Sequence, residues 1–313
     1  MPERDHSRKH HDEPTITAHE LLAPAVAELC ASIREAAARV AVTAASQARG
    51  STGAGYDAEA VHDLRVGLRR LRTLLRPARA IYGKKRIRAA SDELRRFAQA
   101  TGIVRDEEVL HETLAGLGLP RRTRRALDAW LRSRRRRERE LRKAAVELLT
   151  SPAAALGLPS LEAALTTLEA ALKPRRKGKG KQSAADVARA ALDAAIDGVH
   201  EIGALGPSAA DPLAMHALRI REKRLRYTAE IFAEVLPGES ARLAKDAARM
   251  QKRLGELHDL DQAIAVVLQA RSLGRPARPA VLQALRDARD RLAERLQSDV
   301  ALAGAAPRGN AER

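Results

Sequence analysis

Along most of the chain, apolar side chains recur every three or four positions between charged ones, the spacing that places them on one side of an α-helix. Alanine, leucine, arginine and glutamate dominate, and β-branched and aromatic residues are scarce, which favours helix throughout. Glycine and proline separate the periodic segments, and Asp57 and Asp211 are placed to cap their helices, with Pro212 suited to a first helical position. We therefore predict an all-α protein with helices at about Thr17–Gln47, Asp57–Tyr82, Ser91–Leu114, Pro120–Leu149, Ala184–Ile202, Pro212–Val235, Glu239–Gly255, His258–Ser272 and Pro279–Asp299.

Two copies of a basic motif indicate an internal duplication. Val-His-Asp-Leu-Arg-Val-Gly-Leu-Arg-Arg-Leu-Arg at 61–72 aligns without a gap with Met-His-Ala-Leu-Arg-Ile-Arg-Glu-Lys-Arg-Leu-Arg at 215–226, an offset of 154 residues. The similarity resumes at Gly-Ile-Val-Arg-Asp-Glu-Glu (102–108) and Gly-Glu-Leu-His-Asp-Leu-Asp (255–261). We therefore predict a disordered tail at 1–14, a helical repeat at 15–150, a basic linker with room for a short helix at 151–183, a second repeat at 184–302 and a disordered tail at 303–313.

Each copy of the motif separates its cations from its leucines. At ~100° per residue, the basic positions of the first copy fall within an arc of about 80°, and the leucines occupy another arc of about 60°. Like charges at this spacing destabilise a helix, so we expect an anion to neutralise the rows. Together with flanking arginines, the rows contain His62, Arg65, Arg69, Arg70, Arg72 and Arg76 in the first copy and His216, Arg219, Lys223, Arg224 and Arg226 in the second.

The charge balance points to a polyanionic partner. The chain has 57 Lys and Arg against 40 Asp and Glu, a formal net charge of +17, and arginine outnumbers lysine 46 to 11. Arginine suits phosphate because its planar fork binds two oxygens at once. The one cysteine, Cys30, cannot form an internal disulfide, and no apolar run approaches the ~20 residues that span a bilayer. A cytoplasmic location without membrane insertion is expected.

The duplicated pattern His-x-x-Arg-x-x-x-Arg/Lys-Arg-Leu-Arg resembles the CHAD family. The resemblance implies two four-helix bundles related by a pseudo-twofold axis, with a basic groove between them that binds inorganic polyphosphate, and association with polyphosphate granules. It also implies that the two basic rows line that groove. Asp106, Asp259 and Asp261 could orient arginines from behind, although their position early in a helix is an equally good reason for acidic residues.

Two other functions stay open. Non-specific binding of nucleic acid would use the same charges, but the six aromatic residues leave few bases to stack on. A polyphosphate-processing enzyme is less favoured, because no carboxylate cluster or glycine-rich phosphate cradle accompanies the histidines. The sequence therefore predicts a binding protein that is not an enzyme, with no cofactor and no metal site.

Overall fold

The computed structural model describes residues 16–48, 58–150, 159–173 and 179–305. Within these ranges the chain is helical apart from connecting turns and an isolated bridge between Thr17 and Ser183, so the predicted all-α class is confirmed. The helices are α1 (Ala18–Ala48), α2 (Ala58–Tyr82), α3 (Lys84–Ala115), α4 (Arg121–Thr150), α5 (Leu161–Ala171), α6 (Ala184–Gly203), α7 (Pro212–Ile231), α8 (Glu239–Gln269) and α9 (Ala277–Ala305).

One predicted helix break is wrong. The sequence suggested separate helices before and after Gly255, but α8 continues through this glycine from Glu239 to Gln269. Leu254 before this glycine and Leu257 after it are both buried, and their packing outweighs the small loss of helix stability that one glycine causes. A second difference is at Gly83, where a positive φ of 102° turns the chain so sharply that α3 follows α2 after one residue.

Helix caps explain the starts of two elements in the second part of the chain. The Asp211 carboxylate accepts hydrogen bonds from the amides of Leu213 and Ala214, with Pro212 at the first helical position, as predicted. Ser160 caps α5 by accepting from the amide of Ala163, and α5 packs against α1 and α3. The predicted Asp57 cap, the tail at 1–14, residues 151–158 and 174–178 of the predicted linker and residues 306–313 lie outside the described residues.

Apolar packing joins the two halves of the sequence. Within the described ranges, one cluster unites α1, α2, α3 and α5 with parts of α6 and α7, and another combines α6 to α9. A further cluster packs the α3–α4 connection, with Leu114 and Trp130, against Val267 and Leu285 of α8 and α9. Helices at matching places in the two halves also contact each other. The pairs are α1 with α6, α2 with α7, α3 with α8 and α4 with α9. The pseudo-twofold axis itself remains a prediction.

Candidate functional site

A cleft of about 530 Å³ opens where α2 packs against α7, with α3, α4 and α8 forming its walls. Both basic motifs contribute to it, although they lie 154 residues apart in sequence. Helical spacing on α2 and α7 keeps the leucines of the two motifs in the core and leaves part of each basic row on the cleft side. The predicted residues that line the cleft are His62, Arg65, Arg69, Arg219 and Lys223.

The two arginines from α2 are held by neutral partners. Arg65 donates a hydrogen bond of 2.6 Å from Nη1 to the carbonyl oxygen of Thr101 on α3. Arg69 donates from Nη1 to the hydroxyl of Tyr227 on α7 at 3.0 Å, and its guanidinium lies 5.8 Å from the centre of that ring. Neither contact neutralises the positive charge. Sequence analysis did not single out Tyr227, which is one of the few aromatic residues in the chain.

Burial makes the cleft costly for positive charge in the absence of an anion. Burial, followed by the neighbouring charges of Arg219, Arg69 and Arg65, lowers the pKa of Lys223 to about 7. Burial also lowers the pKa of Arg219, and the adjacent Asp259 only partly offsets this. Among the described residues, Nε of Arg219 is buried without a hydrogen-bond partner. The cleft therefore has unused capacity to donate to an anion.

A pair of histidines lies at the cleft, with His258 on its wall and His216 next to it. Nδ1 of His216 lies 3.3 Å from Nδ1 of His258, and the ring centres are 4.7 Å apart. The sequence suggested no role for His258, and only the packing of α7 on α8 brings it to His216. Burial first, then the charges of Arg219 and His216, lower the pKa of His258 to about 4. Burial and Arg219 also lower the pKa of His216. Both rings are therefore neutral at physiological pH without a bound anion.

Acidic residues tune the cleft from two sides. Asp106 on α3 and Asp259 on α8 both line it, and both act electrostatically on Arg219, whereas their orienting role stays a prediction. Asp261 serves a different purpose, because it accepts a 2.5 Å hydrogen bond from Nε of Arg289 and so ties α8 to α9. In the first half, Glu107 forms an ion pair with Arg134 of α4 at the cleft wall.

Two glycines give the arginines room. A Cβ atom at Gly102 would lie 3.5 Å from Nη1 of Arg65, and one at Gly255 would lie 4.0 Å from Nε of Arg219. These are ordinary contact distances, so a methyl group fits, but a longer side chain would displace either guanidinium. The two glycines are at matched places in the second pair of similar segments. That match in the sequence was the signal of a shared role.

The structure leaves six of the eleven predicted site residues outside the cleft. Arg70 and Arg226 both form ion pairs with Glu230, at 3.3 and 2.7 Å. Arg72 turns toward α3, where burial and the charge of Arg95 lower its pKa. His216 stands behind the cleft next to His258. Arg76 and Arg224 line a separate groove that α2 and α7 form with α6.

The fold and the cleft define an all-helical protein with a cation-lined cleft between two similar motifs. A family model described as the CHAD domain matches residues 36–268, and the chain belongs to the CHAD family. The crystal structure of the CHAD domain from the plant Ricinus communis superposes with a TM-score of 0.66 at 23% identity, covering 94% of this chain and 93% of that one. That similarity confirms the fold.

Two curated relatives come from Mycobacterium tuberculosis. The uncharacterized proteins MT2285 (strain CDC 1551 / Oshkosh) and Rv2226 (strain ATCC 25618 / H37Rv) are each 32% identical over 186 residues. The match covers 55% of this chain but 34% of each relative, so the chain spans about a third of their length.

Two features are absent from the part of the chain that the structure describes. None of the helices found there combines the length and apolar character needed to cross a membrane. In the same part of the chain, no group of three or more His, Cys, Asp or Glu side chains is arranged to hold a metal ion.

Proposed function

We propose that this CHAD protein binds inorganic polyphosphate in the cleft between α2 and α7 and does not cleave it. The observation that carries the proposal is that cations of both motifs line one cleft. Arg65 and Arg69 come from the first motif, and Arg219 and Lys223 come from the second. Polyphosphate is a flexible chain of repeated negative charges without bases. Its recognition requires closely spaced cationic donors on a rigid support, and packed helices provide that support.

The electrostatics of the empty cleft support an anionic ligand. Lys223 and Arg219 are half-buried among like charges, which disfavours their charged forms. A polyanion reverses this effect and supplies acceptors for the unpaired Nε of Arg219. The ligand therefore gains from interactions that the free protein leaves unmade.

Binding of polyphosphate to wild-type protein and to Arg65→Gln/Arg219→Gln tests the proposal. The double variant should bind at least about tenfold more weakly, because two charge-assisted contacts are lost. Arg242→Gln/Arg286→Gln, which removes two exposed arginines from α8 and α9, is the matched control for net charge. Equal losses in the two variants would show that binding follows total charge and would refute the cleft.

A second candidate function is non-specific binding of nucleic acid, which one feature of α4 favours. Arg125, Arg132, Arg136, Arg139 and Lys143 are all exposed and share one side of this helix, a spacing that can follow a phosphate backbone. Competition between polyphosphate and duplex DNA of equal total charge at fixed salt separates the two. Preferential displacement by DNA, with loss of that preference in Arg132→Gln/Arg136→Gln, would favour the nucleic-acid function.

The absence of catalysis is a separate part of the proposal. The cleft offers donors and histidines, and its carboxylates already act on arginines, as Asp259 does on Arg219. Chain-length analysis of polyphosphate after incubation with the protein and Mg²⁺ should show no shortening. Shortening that Arg65→Gln/Arg219→Gln abolishes would establish an enzyme in place of a binding protein.

Association with polyphosphate granules follows from the same binding. A fluorescently tagged chain should form foci in cells that synthesise polyphosphate and spread evenly in cells that do not. The double variant Arg65→Gln/Arg219→Gln should be diffuse in both. Foci that persist without polyphosphate would contradict this localisation.

A further inference from the structure

A second groove, of about 490 Å³, lies between the C-terminal half of α2, α6 and α7. Arg76 and Arg224 line it together with Thr73 and Thr228. Two further arginines stand close by, because the charges of Arg221 and Arg79, after burial, lower the pKa of Arg224. This arginine cluster of Arg76, Arg79, Arg221 and Arg224 is separate from the cleft, whose lining shares none of its members.

The arginine cluster is short of acidic partners. Among the described residues, Arg76, Arg79 and Arg224 have no carboxylate within the 4.0 Å that defines an ion pair, and Nε of Arg79 is buried without a hydrogen bond. Arg221 reaches Glu201 at 3.7 Å, the one ion pair seen in the cluster within that part of the chain. Four guanidinium groups therefore share one partner, which leaves a strongly positive end to the groove.

The internal duplication shows that the excess of positive charge differs between the two sides of the contact between α2 and α7. By the 154-residue offset, Arg224 corresponds to Arg70, and Arg76 corresponds to Glu230. The contact between α2 and α7 therefore occurs in two versions. On one side Arg70 forms a 3.3 Å ion pair with Glu230, whereas on the other side two arginines, Arg76 and Arg224, share a groove. The second side therefore has the larger excess of positive charge for a ligand.

The remainder of the groove has a different character. Its walls are small apolar side chains, with Pro77 and Ala80 on α2 and Ala190, Ala191 and Ala194 on α6. Gln182 and Asp186 line it near the start of α6, whereas Arg221 lies against Gly198 and Glu201 near the end of that helix. Because the twelve residues of helix from Asp186 to Gly198 span about 18 Å, Asp186 and Arg221 lie toward opposite ends of α6.

This arrangement restricts the chemistry of the ligand. A carboxylate at one end disfavours a molecule that is anionic along its whole length, such as polyphosphate. The apolar walls fit a flat ring, and Asp186 and Gln182 can bond to hydroxyl or amino groups beside it. Arg76 and Arg224 on the groove wall, with Arg79 and Arg221 close by, match a ligand that carries several phosphate charges.

We propose that the groove of α2, α6 and α7 binds a nucleoside triphosphate, with its phosphates on the arginine cluster and its base and sugar along the α6 wall. The site is independent of the cleft and of the ligand proposed for it. The protein would thus take up a nucleotide and a polyanion at two separate places on the same pair of motif helices.

Titration of the full chain with ATP at low salt, with Ala190→Glu as the diagnostic variant, tests the site. Ala190 is exposed on the wall, and a glutamate there keeps the helix while it fills the groove with a negative charge. We expect ATP to bind at least about tenfold more weakly to Ala190→Glu. Ala241→Glu, which adds the same charge to an exposed position of α8, should leave ATP binding unchanged, and equal unfolding midpoints of the two variants should establish intact folding.

Two further arms locate the bound nucleotide. Tripolyphosphate should be weakened much less than ATP by Ala190→Glu, because it meets only the added charge and lacks the base and sugar that the wall contacts. ATP should still bind Arg65→Gln/Arg219→Gln. The proposal is overturned if ATP binding ignores Ala190→Glu, if tripolyphosphate is weakened as much as ATP, or if ATP is lost only with the cleft variant. Failure of polyphosphate binding alone would refute the cleft and leave this groove standing.

Discussion

At position 222 the second motif carries a glutamate where the first carries Leu68. Leu68 is fully buried, and Glu222 is 5% exposed on the same side of α7 as Met215 and Leu218. Burial raises the pKa of Glu222 to about 7. The folded state therefore favours the neutral carboxyl group, and ionisation of Glu222 destabilises the folded protein.

The free energy of unfolding should record this cost. Because the folded-state pKa lies above the unfolded value near 4.5, the stability is intact below about pH 4.5 and falls as the pH rises through about 7, by up to about 3 kcal/mol. Glu222→Gln should remove that fall, so chemical denaturation should show it more stable than wild type at about pH 8 and not at about pH 4. The exposed Glu234→Gln is the control, and a variant that tracks wild type at every pH would contradict the assignment.

Lys223 should make polyphosphate binding dependent on pH. Its lowered pKa of about 7 means that it is partly uncharged in the free protein, and a bound polyanion restores its proton. Polyphosphate binding should therefore weaken several-fold from about pH 6 to about pH 8, because binding requires Lys223 to take up a proton and protons are scarcer at the higher pH. Lys223→Arg keeps the charge and should flatten this dependence, measured as the dissociation constant at constant ionic strength. An unchanged pH dependence of the dissociation constant in Lys223→Arg would indicate that His216 and His258 take up the proton instead.

At the scale of elements, α2 and α7 place their motifs while α3 and α8 shape the space around them. Gly102 and Gly255 show this division, because each lies in the interior of a wall helix at the point where Arg65 or Arg219 reaches across. A glycine there costs helix stability, and it leaves the guanidinium free to enter the cleft. Stability and access therefore compete at these positions.

Substitution at Gly255 should separate the two effects. Gly255→Ala adds a methyl group at an ordinary contact distance and should stabilise the helix by about 0.5–1 kcal/mol with polyphosphate binding retained. Gly255→Leu should displace the Arg219 side chain and weaken binding by about tenfold. Thermal unfolding and binding measured on both variants check this. Equal polyphosphate binding by the two variants would mean that Gly255 does not provide room for the Arg219 side chain.

At the scale of the whole molecule, the cleft joins the two halves of the sequence. α2 and α7 supply its cations, and the buried clusters already cross from one half to the other. A ligand in the cleft therefore stabilises contacts between the halves as well as its own site. The like charges that oppose this packing in the free protein are the ones that the ligand neutralises.

Polyphosphate should consequently raise the unfolding temperature of the chain. At a ligand concentration about 100 times the dissociation constant, the expected stabilisation is about 2.7 kcal/mol. Added salt should reduce it steeply, because binding displaces counterions. Differential scanning fluorimetry of wild type and Arg65→Gln/Arg219→Gln at two salt concentrations provides the comparison. An equal shift in the double variant would show that the ligand stabilises the protein from another surface.

By itself the sequence determined the helical class, most helix positions, the Asp211 cap and the two basic motifs, because these depend on side-chain spacing within a few turns of one segment. It misjudged Gly255, where packing on both sides carries α8 through a weak helix position. Only the tertiary structure decided which cations share a site. It brought Arg65 to Lys223, paired His216 with His258 and sent Arg76 to another groove. The physical reason is that burial and charge density arise where separate helices meet, and that meeting is set by the packing of the whole core.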